Sequence, residues 1–287
     1  MLAEEIKTGR TVPNTGLISQ GDLEQFKSEG FVSLENVIPA DMLGMMREEC
    51  SYFLGYEDCG LDRDGLKSNG ITHRGNRYFI GNQYRLSQRL WTFIYSDLMA
   101  EISSTLLGDV FLFNEQWVVK GPGAGMKFSW HQDSGYIKSS DYETEHKPYL
   151  TCWCTLDDVC IDNGTVYILP HSRGGTSHTI FDHDKESVSN DLVGYIGDDP
   201  GDPVIVPAGS IIAFTSFNFH RSSPNTTPAM RRVYLAQYSS EPIVRSKTGD
   251  LWAQAVPFVK DGQIVYDHST DTAERHGGAA APENFEA

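Results

Sequence analysis

His131, Gln132 and Asp133 form the one His-x-Asp among the nine histidines of this 287-residue chain. In extended backbone, residues two apart point to one side, so the His131 imidazole and the Asp133 carboxylate can reach a common metal ion. A third ligand from a distant part of the chain would complete a face of two histidines and one carboxylate. That face leaves positions open on iron(II) for oxygen chemistry. Taken alone, the motif is also what a surface turn looks like.

A second imidazole stands at the end of an apolar strand, where Ser210 to Phe214 leads to Asn218-Phe219-His220. It is either a satisfied core histidine or the missing ligand. The polar turn Arg221 to Asn225 follows, and then Arg231-Arg232 opens a strand carrying Val233, Leu235 and Tyr238. A guanidinium on a core wall needs an anionic partner, and a small dicarboxylate matches its fork in bidentate fashion. Alternation sends the two arginines to opposite faces, and either could be the surface one.

Several elements must position these groups. Ser19 to Gly30 reads as a short helix with Ser19 as N-cap and Gly30 as its stop. Phe31 to Leu34 reads as a strand, and Ala40 to Phe53 and Gln88 to Leu107 as helices with apolar stripes. Strands are expected at Val110–Lys120, Tyr149–Asp157, Val166–Leu169, Val204–Val206, Ser210–Thr215 and Arg231–Ser239, with an Asn163-Gly164 turn between two of them. Two irregular stretches, Leu61 to Arg85 and the acidic Asp182 to Asp202, are expected to be loops bordering the site. Past Pro242 alternation fades, and Arg275 to Ala287 reads as disordered. Short strands after a helical third predict a mainly β domain with helical buttresses, a jelly-roll or cupin-like double-stranded β-helix. The expected organisation is one domain over 1–287, with helices at about 18–107, the β core at about 108–240 and an extension over 241–287.

Composition narrows the partners. Twenty-three basic against 39 acidic residues give a net charge of −16 without a basic cluster. Nucleic acid and anionic membrane both call for a positive surface and are not expected. No apolar run approaches a membrane span, and Met1 to Gly16 has no apolar signal core, so a cytoplasmic monomer or homodimer is expected. The five cysteines lack the spacing of a zinc site or a disulfide scaffold and read as buried thiols.

His131-Gln-Asp133, His220 and an arginine 11 residues later together resemble the phytanoyl-CoA dioxygenase family of iron(II)/2-oxoglutarate oxygenases. The opening Leu23 to Ile38 and the stretch Trp153 to Pro170, with its Asn-Gly hairpin, are similar to the family in the same order. The resemblance runs from about residue 20 to 240. It implies His131, Asp133 and His220 as iron ligands and Arg231 as partner of the distal carboxylate of 2-oxoglutarate. Ser222 matches a position that helps hold that carboxylate, and Trp153 one that lines the cosubstrate pocket. Gln116 and Lys120 are further candidate contacts. Pro170-His171-Ser172-Arg173 departs from the family's usual Gly-Ser-His, so His171 stays outside the site.

The implied reaction consumes 2-oxoglutarate and O2, releases succinate and carbon dioxide, and hydroxylates an unactivated C–H bond. The substrate is expected to be a small natural product or amino-acid-like molecule, with His73, Arg74 and Asn76 as candidate contacts. Asp133 fills the position that related halogenases leave open for chloride. Two rivals remain, a cupin-like metal oxygenase or isomerase without 2-oxoglutarate and a catalytically idle binding protein.

Overall fold

The computed structural model describes residues 8–123 and 125–278. Its larger sheet runs in the order Arg10–Thr11, Gln263–Ile264, Val256–Lys260, Val110–Lys120, Arg231–Ser239, Leu150–Thr155, Ile211–Thr215 and Phe31–Leu34. A smaller sheet runs Asp202–Pro203, Val166–Leu169, Phe219–Ser222 and Phe128–His131. Apolar side chains of both sheets meet in one core, where Val118, Trp153, Phe214 and Leu235 of the larger face Val166 and Ile168 of the smaller. The other face of the larger sheet packs on the helices Ala40–Arg63, Leu90–Ile94 and Asp97–Leu107 through Phe53, Phe93, Met99, Trp117 and Tyr234. This is the expected double-stranded β-helix with helical buttresses. No helix among the described residues is long and apolar enough to cross a membrane.

Side-chain parity decides what the long central strand can do. On Val110–Lys120, Val110 and Leu112 face the helices, yet so do Trp117 and Val119. The switch is a β-bulge: Gln237 pairs with Asn114 and Tyr238 with Leu112, which leaves Phe113 as the extra residue. Phe113 and Asn114 therefore both turn toward the space between the sheets, followed by Gln116, Val118 and Lys120. On the neighbouring strand Arg231, Leu235 and Gln237 face the same space, while Arg232 turns outward and pairs with Asp157 at 2.6 Å.

Several boundaries differ from those expected. The second helix runs on to Arg63 instead of stopping at Phe53. Its last turns bury only Leu61, so no apolar stripe marks them, and Asp58 and Asp62 there pair with Arg74. Leu61 to Arg85 is not a loop. It folds into the strands Ser68–Asn69, Thr72–His73 and Arg77–Gly81, the last paired with Gln116–Lys120. The expected helix from Gln88 to Leu107 is broken at Ser96, whose hydroxyl caps the second piece by accepting from the Met99 N–H. Val204 to Val206 is not a strand; pairing falls on Asp202–Pro203, and Val206 makes a lone bridge to Val159. Beyond Pro242 the chain adds two strands to the larger sheet, and Tyr266 stacks on Tyr95. Arg275 lies in the short helix Ala273–His276, anchored where Arg85 donates to the Gly277 carbonyl at 3.0 Å; residues 279–287 lie outside the described residues. Cys50, Cys152 and Cys154 are buried free thiols, as expected, whereas Cys160 is half-buried and Cys59, on the outer side of the second helix, is exposed.

The two polar stretches meet at a fully buried ion pair. Arg77 Nη2 sits 2.8 Å from Asp191 Oδ1, with neither side chain exposed. Asp191 Oδ2 also accepts the Ser129 N–H at 3.0 Å, two residues before His131. Removing one partner of such a pair strands a buried charge. We expect Asp191→Ala to lose roughly 3–5 kcal/mol of unfolding free energy in urea; a loss below about 1 kcal/mol would show that water reaches Arg77.

Candidate active site

Three ligand-type side chains converge between the sheets. His131 ends the strand Phe128–His131, and Asp133 opens the helix Asp133–Ser140. His220 lies on Phe219–Ser222 directly opposite His131. Asp133 Oδ1 is 3.6 Å from His131 Nε2 and 3.5 Å from His220 Nε2. The three ligand atoms lie within 4.8 Å of one another, close enough for one ion.

The surroundings aim them. His131 Nδ1 contacts the Ser129 carbonyl at 2.8 Å and His220 Nδ1 the Asn218 carbonyl at 3.2 Å. Each carbonyl holds the Nδ1 proton and leaves the Nε2 lone pair toward the centre. Burial, with His131 nearby, pushes His220 down to about 4, so its ring is neutral and can ligate. Burial alone would raise the Asp133 carboxyl; His220, His131 and the Thr151 hydroxyl outweigh it and hold it at about 2. The donor set is thus two imidazoles and one carboxylate, which suits iron(II).

Gln132 shows why the ligand turn is rigid. Its amide nitrogen donates to the Thr179 and Phe217 carbonyls at 2.8 and 2.7 Å, and its amide oxygen accepts the Phe181 N–H at 2.7 Å. Its backbone N–H donates to His183 Nε2 at 2.9 Å. The acidic insertion therefore braces the ligand turn from behind and contributes nothing to the cavity lining, where a border of the site itself was expected. On the His220 side, Asn218 Nδ2 donates to the Glu29 carbonyl at 2.9 Å. Gly30 has φ 83°, and a Cβ there would come within 2.2 Å of Asn218 Oδ1 and His171 Nε2. His171, which also contacts Thr176 Oγ1 at 2.7 Å, is part of this brace.

The triad opens into a cavity of about 210 Å³. One end is cationic. Arg231 and Lys120 are cross-strand partners, and both are about 1% exposed. Arg231 donates to the Gly164 carbonyl at 3.0 Å and more weakly to Val118 at 3.4 Å, while its Nε has no partner. Burial pushes this guanidinium down to about 10. Among the described residues Lys120 Nζ bonds only to carbonyls, those of Ser223 and Met126. Burial and the neighbouring Arg231 and Arg77 push it down to about 6. Gly164, at φ 80°, makes this approach possible, since a Cβ there would meet the Ser223 oxygen at 2.5 Å. A guanidinium and an amine buried side by side, with no carboxylate bonded to either among the described residues, leave room for a carboxylate.

Ser222, Trp153 and Gln116 line the same cavity. His73, Arg74 and Asn76 do not; Arg74 is turned to Asp58 and Asp62, and Ile71 and Phe79 of that segment reach the cavity instead. Sequence reasoning missed Phe113, Asn114, Tyr136, Tyr149, Thr151, Gln237 and Trp252. Parity could have found Gln237, six residues along the strand face of Arg231, and Thr151, two before Trp153. Phe113 was hidden by the bulge, and Trp252 arrives from a stretch without periodicity.

The sequence matches the phytanoyl-CoA dioxygenase family over residues 26–233. A phytanoyl-CoA dioxygenase domain-containing protein 1 from Danio rerio is 26% identical, covering 76% of this chain and 89% of that protein. Among solved structures, the epimerase SnoN in complex with Fe3+, alpha ketoglutarate and nogalamycin RO superposes with a TM-score of 0.60 at 16% identity, covering 84% of this chain and 95% of that one. EvdO2 from Micromonospora carbonacea var. aurantiaca complexed with 2-oxoglutarate has a TM-score of 0.59 at 22% identity, covering 80% and 93%. The structural likenesses carry the fold, and the match over most of the chain carries the family. The chain belongs to the phytanoyl-CoA dioxygenase family, a family of iron(II)- and 2-oxoglutarate-dependent oxygenases.

Proposed function

We propose that the protein hydroxylates an unactivated C–H bond of a small molecule without a basic group, with succinate and carbon dioxide as co-products. The observation that carries this reading is one cavity holding His131, Asp133 and His220 at its centre and an unanswered guanidinium, Arg231, at one end. His131, Asp133 and His220 would hold iron(II). The metal, with 2-oxoglutarate and O2, supplies the oxidant for the C–H bond. Arg231, Lys120 and Ser222 receive the distal carboxylate of 2-oxoglutarate and so fix its orientation, while Trp153 and Gln116 wall its chain.

The remaining lining limits the substrate. Phe113, Tyr136, Tyr149 and Trp252 make it aromatic. Arg221 is the one further charged side chain of the lining, and it is stacked on Tyr167 and bonded to the Pro200 carbonyl. Asp133 is the one carboxylate of the lining, so the ammonium of an amino acid would find no free counter-charge there, which favours a substrate without a basic group. Epimerisation, as in SnoN, stands beside hydroxylation because the outcome depends on which hydrogen the walls present.

Anaerobic titration of the iron(II) protein with 2-oxoglutarate, watched by its weak visible charge-transfer absorption, tests the class. Iron binding without that absorption favours a cupin-like metal enzyme, and failure to bind iron favours an idle binding protein. Succinate release over a panel of metabolites with and without basic groups then tests the substrate.

Lys120 gives the cosubstrate step a pH dependence. Its amine is mostly neutral above pH 6 in the empty cavity, and a carboxylate beside it favours the charged form. Binding therefore takes up a proton, and affinity falls as pH rises through and above about 6. We expect the apparent Kd of 2-oxoglutarate to rise between pH 6 and 8, by at most about tenfold per unit, and Lys120→Met to flatten that slope. An unchanged slope in the variant would remove Lys120 from the contact.

A further inference from the structure

Asp133 Oδ1 faces the two histidines, but its other oxygen is equally committed. Asp133 Oδ2 accepts the Thr151 hydroxyl at 2.7 Å and the Gln237 amide nitrogen at 3.0 Å. The Gln237 nitrogen also donates to Thr151 Oγ1 at 2.9 Å, closing a triangle. Thr151 and Gln237 are almost wholly buried, so water does not compete. The Gln237 oxygen accepts from Asn114 Nδ2 at 2.8 Å. Asp133 and Thr151 both accept on the inner side, which turns the Gln237 N–H groups inward and leaves its oxygen for the Asn114 donor.

We propose that Asn114, Gln237 and Thr151 form a positioning chain that holds Asp133 as a one-oxygen ligand. This rests on the assignment of Asp133 to the metal. A carboxylate free to rotate could offer both oxygens to one ion and occupy a position the cosubstrate or oxygen needs. With Oδ2 tied by two donors, only Oδ1 is available to the ion. Groups in this outer layer typically change metal affinity by roughly 10–100-fold when lost. Asn114 lines the aromatic end of the cavity and also a second, wider cavity that shares Trp252 with the first. The chain thus starts at the aromatic wall of the cavity and ends on the carboxylate.

The chain carries a polarity that a packing role lacks. Asn114→Asp keeps the shape but offers Gln237 an acceptor in place of a donor. The Gln237 amide must then turn over and point its oxygen at Asp133 Oδ2. Asn114→Ala removes the constraint without reversing it. Iron(II) affinity, measured anaerobically by competition with a chelator without 2-oxoglutarate or turnover, should therefore fall further in Asn114→Asp than in Asn114→Ala.

Thr151→Val and Gln237→Leu should each weaken iron(II) by roughly 10–100-fold and shift the charge-transfer maximum, whereas Thr151→Ser, which keeps the hydroxyl, should match the wild type. Equal affinities for Asn114→Asp and Asn114→Ala would overturn the proposal, as would unchanged iron affinity in Thr151→Val. Should Gln237→Leu fail to fold, the Asn114 pair and the Thr151 pair still decide. The assignment of Asp133 itself fails differently, through iron affinity that survives Asp133→Ala.

Discussion

Asp133→Ala should yield a folded protein without turnover and with iron(II) affinity reduced by more than roughly a hundredfold, beyond the typical effect of an outer-layer group. The carboxylate is the one anion among the three grouped ligand side chains. Its loss leaves two imidazoles and no anionic ligand, which hold a divalent ion far less tightly against water. The fold tolerates the change because Thr151 and Gln237 already bond to each other at 2.9 Å and keep a partner. Metal analysis after gel filtration, with circular dichroism to verify folding, checks this. A variant carrying stoichiometric iron and hydroxylating at the wild-type rate would remove Asp133 from the metal.

Arg231→Ala should raise the KM for 2-oxoglutarate by about a hundredfold, the value of one charge-assisted bidentate contact. Arg231 is buried at the cationic end of the cavity with its Nε unanswered. Arg232 points to the helical side, where Asp157 meets its guanidinium at 2.6 Å and its backbone N–H at 2.8 Å. Arg232→Ala should therefore cost some stability and leave KM nearly unchanged. Steady-state kinetics on the two variants separate them, and a larger rise for Arg232→Ala reverses the assignment.

The centre of the site was more legible in the sequence than its walls. His131, Asp133 and His220 stand out because ligand chemistry permits few residue types and the strand period limits their spacing. Period two also puts Arg231 and Arg232 on opposite faces, whereas Ser222 and Trp153 are legible only through the family resemblance. The walls obey no such period. Phe113 faces the cavity because a bulge inserts one residue, and nothing in Phe111-Leu112-Phe113-Asn114 marks where the pairing slips. Arg77–Gly81 looked like loop because its partner lies some forty residues on and its flanks are polar turns. Gln132 carries no ligand chemistry, and nothing local marks its side-chain bonds to the backbone of Thr179, Phe181 and Phe217. Local periodicity reports which face is buried, not what it is buried against.

The bulge at Phe113 also divides the protein into parts that can change at different rates. From Asn114 to Lys120 the strand keeps register with Arg231–Gln237, and any slip there would turn Lys120 and Gln116 out of the cavity. Upstream of Phe113 the strand pairs in the other phase, Leu112 with Tyr238 and Phe111 with Ser239, so Phe113 is the one residue whose change reshapes the aromatic end while both flanks keep their register. A library varying composition at Phe113, with Leu112 and Asn114 kept, would explore new substrates at little cost to cosubstrate binding.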